Sequence, residues 1–366
     1  MILKENLNGK FSGCDFVVSF PEERKGTQIK ILQITDMQFI DATQTRFEGR
    51  LRQDELKAWT KESLYSQCGD HIRSLITQTK PDIIIVTGDL IYGQFDDSGE
   101  VFEWFCKFMD SFKIPWAPVY GNHDNESKKG VKWQNRMLES SSYCLFKEGD
   151  VTGNGNYVVG VAIGDELVRT LYMVDSNGCY NTDDPNVMRD VGIFPDQLEF
   201  FKRRTNEIFK ATGKNVPKFM AFHIPTSDFV HVAVKKGYAK CNGDLFNIGV
   251  TVPQVDDDFG FIYEKVCCFE LAGFVDFLKE NGIDGVFVGH DHSNCTCISY
   301  DGIKWVFGLK TGQYDYHIAG SLGGTLITLT GNEFEVRHVP ALVKLGRYPT
   351  GGSMFDDFFV EEKSNK

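Results

Sequence analysis

The sequence predicts a layered α/β sandwich. Short apolar, β-branched runs alternate with longer amphipathic ones in a βαβα order early in the chain, and the second half is richer in strands. Helix or strand alone accounts for neither half, and the 366 residues suffice for one large core.

Taken in order, strands are expected at Ile29–Thr35, Ile83–Thr87, Trp116–Tyr120, Tyr157–Ile163, Arg169–Asp175, Lys218–His223, Gly285–Gly289 and Lys304–Phe307, each a compact apolar run bounded by polar or turn residues. A closing hairpin is expected from Thr325 to His338, turning at Gly331-Asn332, where both residues tolerate positive φ. Helical spacing of apolar residues predicts helices over Gln67–Thr79, Glu100–Phe112, Asp196–Lys210 and Leu271–Glu280, and Pro195 suits the first turn of the third. The reading is a single domain over 1–366 with its core at 28–340. Within it, 228–262 reads as an inserted surface loop, and the tail 354–366 as partly docked through its Phe residues.

Composition narrows the function. A net charge of −12 opposes binding to a polyanionic backbone, so no nucleic-acid partner is expected. No stretch approaches the ~20 apolar residues of a membrane span. The N-terminal residues lack a signal-peptide core, and ten cysteines in so long a chain do not read as a disulfide framework. Two glycosylation-type triplets, at Asn125 and Asn294, fall beside histidine motifs that a glycan would obstruct. Together these set a cytoplasmic expectation.

Five segments share one arrangement: an apolar strand ends and an Asp-, Asn- or His-bearing loop begins. They are "ILQITDMQ" with Asp36, "IIIVTGDLIY" with Asp89, "APVYGNHD" with Asn122 and His123, "FMAFHIP" with His223, and "GVFVGHDH" with His290 and His292. Carboxyl ends of neighbouring strands share one edge of an α/β sheet, so these residues can meet there. Bridging carboxylates, an amide oxygen and imidazoles suit two metal ions ~3.5–4 Å apart. Histidines at i and i+2 on a loop fit two ions better than one.

The order Asp, Gly-Asp, Gly-Asn-His-Asp, His, Gly-His-x-His over residues 36–292 resembles the calcineurin-like metallophosphoesterases, and its phrasing resembles the short, single-domain purple-acid-phosphatase-like branch. That resemblance implies a four-layer α/β/β/α sandwich, two mixed β-sheets flanked by helices. It implies Asp36, Asp89, Tyr92 and His292 around one metal, with Asp89 bridging to a second held by Asn122, His223 and His290. His123 would meet the substrate, oriented by Asp124. Gln38 stands where most members place a histidine, and Tyr92 compensates in the purple-acid-phosphatase manner, which implies Fe(III) at that position with Zn, Mn or Fe(II) at the other. Gln38 is then expected to hydrogen-bond behind the metal, and His317 to lie near the phosphate. The implied reaction is hydrolysis of a phosphomonoester, from a phosphorylated small molecule or a phosphoprotein, by in-line attack of water. A phosphodiesterase and a catalytically weak protein-binding scaffold remain the alternatives, and the oligomeric state is open.

Overall fold

A computed structural model describes residues 2–3, 11–180, 188–242, 245–246, 249–318 and 320–342. Two mixed sheets face each other. The smaller has five strands in the order Glu333–Pro340, Gly323–Thr330, Ile29–Ile34, Ile83–Thr87, Trp116–Val119, of which the last three are parallel. The larger has ten strands, with Lys218–Ala221 and Ile283–Val288 parallel neighbours at its centre. The closing hairpin forms as expected, with Thr330 paired to Glu333 across Gly331-Asn332.

Period-two alternation explains the layering. In the larger sheet Tyr157, Val159, Phe219, Ala221, Phe287 and Val306 point to the smaller sheet, joining Ile31, Ile83 and Ile85 in one core. Their neighbours Val158, Met220, Val286, Val288, Trp305 and Phe307 point outward and are covered by helices Pro195–Thr212, Asp228–Lys235 and Phe274–Glu280 through Phe200, Phe229 and Phe274. Helices Asp70–Thr79 and Glu100–Ser111 place Ile72, Leu75, Phe102 and Phe105 in the core of the smaller sheet. The result is the α/β/β/α sandwich. Among the described residues no helix is long and apolar enough to cross a membrane.

The segment 228–262 departs from the expected surface loop. It contributes helix Asp228–Lys235, whose Phe229, Val230, Val232 and Ala233 are buried, and strands Val250–Val255 and Asp258–Ile262 on the edge of the larger sheet. Its many turn residues concealed these short elements, because each buries only a few side chains. Helix Val131–Ser140 and strands Phe16–Phe20 and Asn294–Tyr300 also went unforeseen. The tail from Met354 lies outside the described residues.

Candidate metal centre

The carboxyl ends of the three parallel strands of the smaller sheet and the two central strands of the larger one meet at one end of the sandwich. Buried Gln33 ties the sheets together there, its amide donating to Thr87 Oγ1 (2.9 Å) and to the Val288 carbonyl (3.0 Å). His223 adds a second tie, from Nδ1 to the Thr87 carbonyl at 2.8 Å. The loops beyond the strands are held in left-handed backbone at four non-glycine positions, Asp36, Gln38, Asp89 and His290. Such strain is stored where the surrounding structure over-determines it. Two glycines make the packing possible: a Cβ on Gly121 would sit 2.1 Å from Asp89 Oδ1, and one on Gly88 2.4 Å from His223 Nδ1.

Asp36, Asp89, Asn122, His223, His290 and His292 come together. Ligand atoms of Asp36, Asp89 and His223 lie within 4.8 Å of one another, and all three residues are buried. His223 Nε2 lies 3.1 Å from Asn122 Oδ1, 3.3 Å from His290 Nδ1 and 3.4 Å from Asp89 Oδ2. His292 Nε2 lies 3.6 Å from Asp36 Oδ1, while its Nδ1 donates to the Tyr316 carbonyl (3.0 Å). Because Nδ1 of both His223 and His292 is spent on a backbone carbonyl, Nε2 of each neutral ring carries a lone pair.

That convergence is the test of whether a cation fits. Asn122 Oδ1, Asp89 Oδ2 and two imidazole nitrogens crowd together in a buried space, which is unfavourable unless positive charge sits among them. The titration behaviour points the same way. Burial pulls His223 down, yet Asp89 and then Asp36 more than offset it and push its pKa up to about 10. Burial, followed by the charge of His223, drives His290 down to about 3, leaving its nitrogens free to coordinate. The donor set suits oxygen- and nitrogen-preferring divalent or trivalent ions.

Gln38 hydrogen-bonds beside the site through a partner absent from the sequence argument. Lys310 Nζ, fully buried, donates to Gln38 Oε1 (2.9 Å) and to the Asp36 carbonyl (2.8 Å). An ammonium only donates, so Oε1 must face it, and the Gln38 amide nitrogen then donates to Asp89 Oδ2 at 3.2 Å. Tyr92 is adjacent but engaged differently: its hydroxyl accepts from Arg50 at 2.9 Å, and its ring lies 4.0 Å from that of His123. Burial, then Asp315 and Glu126, hold its pKa well above the usual phenol value.

The expectation that Asp124 orients His123 needs correction. Asp124 is spent on the loop itself, with Oδ1 accepting from Ile91 N (3.0 Å) and Oδ2 from Gly121 N (2.7 Å). Glu126 faces His123 instead, its Oε2 3.0 Å from Nδ1, while Gln94 donates to its other oxygen. The reason is local: in the tight turn at Asp124–Glu126 the i+1 carboxylate folds back onto the preceding strand ends, whereas the i+3 side chain returns to the imidazole. His317 is likewise not open to the mouth of the site. It is 1% exposed, its Nδ1 pairs with the Asp315 carbonyl, and burial, then Lys310, lower it to about 4.

Comparisons with known proteins agree with this picture. The chain is 25% identical over 81% of its length to a probable inactive purple acid phosphatase from Arabidopsis thaliana, covering 74% of that protein. It is also 25% identical to phosphatase DCR2 of Saccharomyces cerevisiae over 76% of its length, which spans only 46% of the yeast protein. A dimetal phosphatase from Danio rerio shares the fold at a TM-score of 0.52 and 11% identity, covering 86% of this chain and 99% of that one. Residues 29–294 match the calcineurin-like phosphoesterase family, and the chain belongs to it.

Proposed function

We propose that the protein is a dinuclear metal-dependent phosphomonoesterase. The observation that carries this reading is the convergence of Asn122 Oδ1, Asp89 Oδ2, His223 Nε2 and His290 Nδ1, a buried set of potential metal ligands that favours positive charge at its centre. These four residues would hold one cation. Asp36, Asp89, His292 and Tyr92 would hold the other, with Fe(III) at the tyrosine-bearing position and Zn, Mn or Fe(II) at its neighbour. When bound, the two ions supply Lewis-acid activation of water and stabilise charge on the phosphoryl oxygens.

The chain's own residues perform the rest. Asp36 and Asp89, each 1% exposed, neutralise the ions and keep bulk water out. His123 faces the centre with Nδ1 held by Glu126, so Nε2 is the atom that can meet a phosphate oxygen or pass a proton to the leaving group. Glu126 keeps that ring cationic and aimed. Two cations beside the imidazole of His123 would attract the dianionic monoester more strongly than the singly charged diester.

A second reading is favoured by Lys310. Its ammonium occupies Gln38 Oε1 beside the first cation position, which points to one firmly held ion at the Asn122 side and one weakly held ion at the Asp36 side. The test is metal content per chain, with turnover of 4-nitrophenyl phosphate against bis(4-nitrophenyl) phosphate and Asn122→Ala as background. Faster monoester cleavage that disappears in Asn122→Ala supports the proposal; no turnover above that background refutes it.

A further inference from the structure

Beside the metal centre lies a cavity of about 260 Å³, rimmed by Arg50 and walled by Trp59, Tyr92, Phe95, Asp315 and Tyr316. It adjoins both ends of the site. Tyr92 lies against the His123 ring at 4.0 Å, and the Tyr316 ring lies 4.2 Å from that of His292. The volume falls below the ~300–1,000 Å³ of a complete small-molecule pocket, so it suits part of a ligand whose remainder sits elsewhere. With the phosphoryl group at the metals, that part is the leaving group.

Arg50 gives the cavity its chemistry. The neighbouring arginines of the same segment are neutralised, Arg46 by Asp97 at 2.7 Å and Arg52 by Glu55 at 3.0 Å. Arg50 is exposed, and among the described residues it has no carboxylate partner, only the neutral hydroxyl of Tyr92. Of the cavity's own carboxylates, Glu55 is committed to Arg52, while Asp315 lies 3.9 Å from His292 Nδ1, whose proton goes to the Tyr316 carbonyl. Arg46 also donates to the Glu126 carbonyl (2.6 Å), which anchors the Arg50 segment to the His123 loop. A guanidinium so presented retains N–H donors in a fork that matches a carboxylate or phosphate.

We propose that this cavity is a leaving-group subsite and that Arg50 selects phosphate esters whose leaving group carries a second anionic group, a carboxylate or a further phosphate, on a small body lying beside Tyr92 and the partly exposed ring of Tyr316. The inference rests on the phosphoesterase reading, because it takes the phosphoryl position from the metal centre.

The test uses phosphonates, whose P–C bond is not hydrolysed, so binding is read apart from turnover. Dissociation constants of the metal-loaded protein for benzylphosphonate, 4-carboxybenzylphosphonate and 1,4-xylylene bisphosphonate are measured by calorimetry, in the wild type and in Arg50→Met. The expected result is about tenfold tighter binding of one or both anion-bearing ligands in the wild type, collapsing to near parity in Arg50→Met; which of them gains identifies carboxylate or phosphate. Equal affinities in the wild type, or a preference that survives Arg50→Met, overturn the subsite. Should Arg50→Met misfold, Arg50→Lys retains the charge without the fork, and an unreduced preference there overturns the bidentate account. Turnover of 4-nitrophenyl phosphate by the same wild-type sample, against Asn122→Ala, reports separately on the phosphoesterase reading.

Discussion

Replacing Glu126 by Gln removes a charge and leaves the shape. In the metal-free protein burial lowers the His123 pKa, but Glu126 and then Asp89 outweigh it and push the value up from 6.5 to about 9. Losing the Glu126 charge should lower the His123 pKa, because burial then opposes protonation with Asp89 left to offset it, and the cationic fraction at pH 8, about nine in ten at a pKa of about 9, should fall. The sign for stability follows from linkage. A folded-state pKa above the unfolded one contributes stability that is fully present below about 6.5 and is lost as pH rises through about 9. Glu126→Gln should therefore cost on the order of 2–3 kcal/mol at pH 6 and nearly nothing at pH 10. Nuclear magnetic resonance titration of the imidazole nitrogens in chelator-treated protein, assigned with His123→Asn, measures the pKa, and urea unfolding at the two pH values measures the linkage. An unchanged His123 pKa in Glu126→Gln would refute the pairing. In the loaded enzyme the same variant should move the basic limb of kcat/KM to lower pH.

Gly121→Ala places a methyl 2.1 Å from Asp89 Oδ1 and 2.4 Å from its backbone nitrogen, so it should destabilise by about 1–3 kcal/mol and reduce bound metal, read by thermal unfolding and elemental analysis; normal metal content would contradict it. Lys310→Met removes a buried cation and frees Gln38 Oε1, so the weaker of two metal-binding events should tighten at least about tenfold by calorimetric titration. Unchanged or looser binding would remove the second reading. Iron-loaded wild type should absorb in the visible as a tyrosinate complex, and Tyr92→Phe should be colourless; an iron-loaded wild type without that band would exclude Tyr92 as a ligand and leave it as the Arg50 acceptor.

Much of the architecture was legible because it is written locally. The run Ile83–Thr87 must be a fully buried strand, and the unbroken apolar run Tyr157–Ile163 is likewise the signal of a sheet with two covered faces. The candidate metal residues were legible for the same reason. Asp36, Asp89, Asn122, His223 and His290 each stand within a few residues of a strand's end, so local pattern plus the rule that parallel strands share an edge brings them together.

What escaped depends on contacts that no local pattern encodes. Lys310 is one lysine among many in the chain, and only the sandwich buries it 272 residues from its partner Gln38. Arg50 differs from Arg46 and Arg52 only in which carboxylates the folded chain brings within reach. Glu126 and Asp124 are equally plausible partners for His123 on spacing, and the turn decides between them. By itself, then, the sequence determined the central strands, their layered arrangement and the residues at their ends, because hydrophobic periodicity and chain connectivity are short-range. Tertiary structure alone decided which charges are paired, buried or left free around the centre, because charge pairing depends on through-space distance and on exclusion from water.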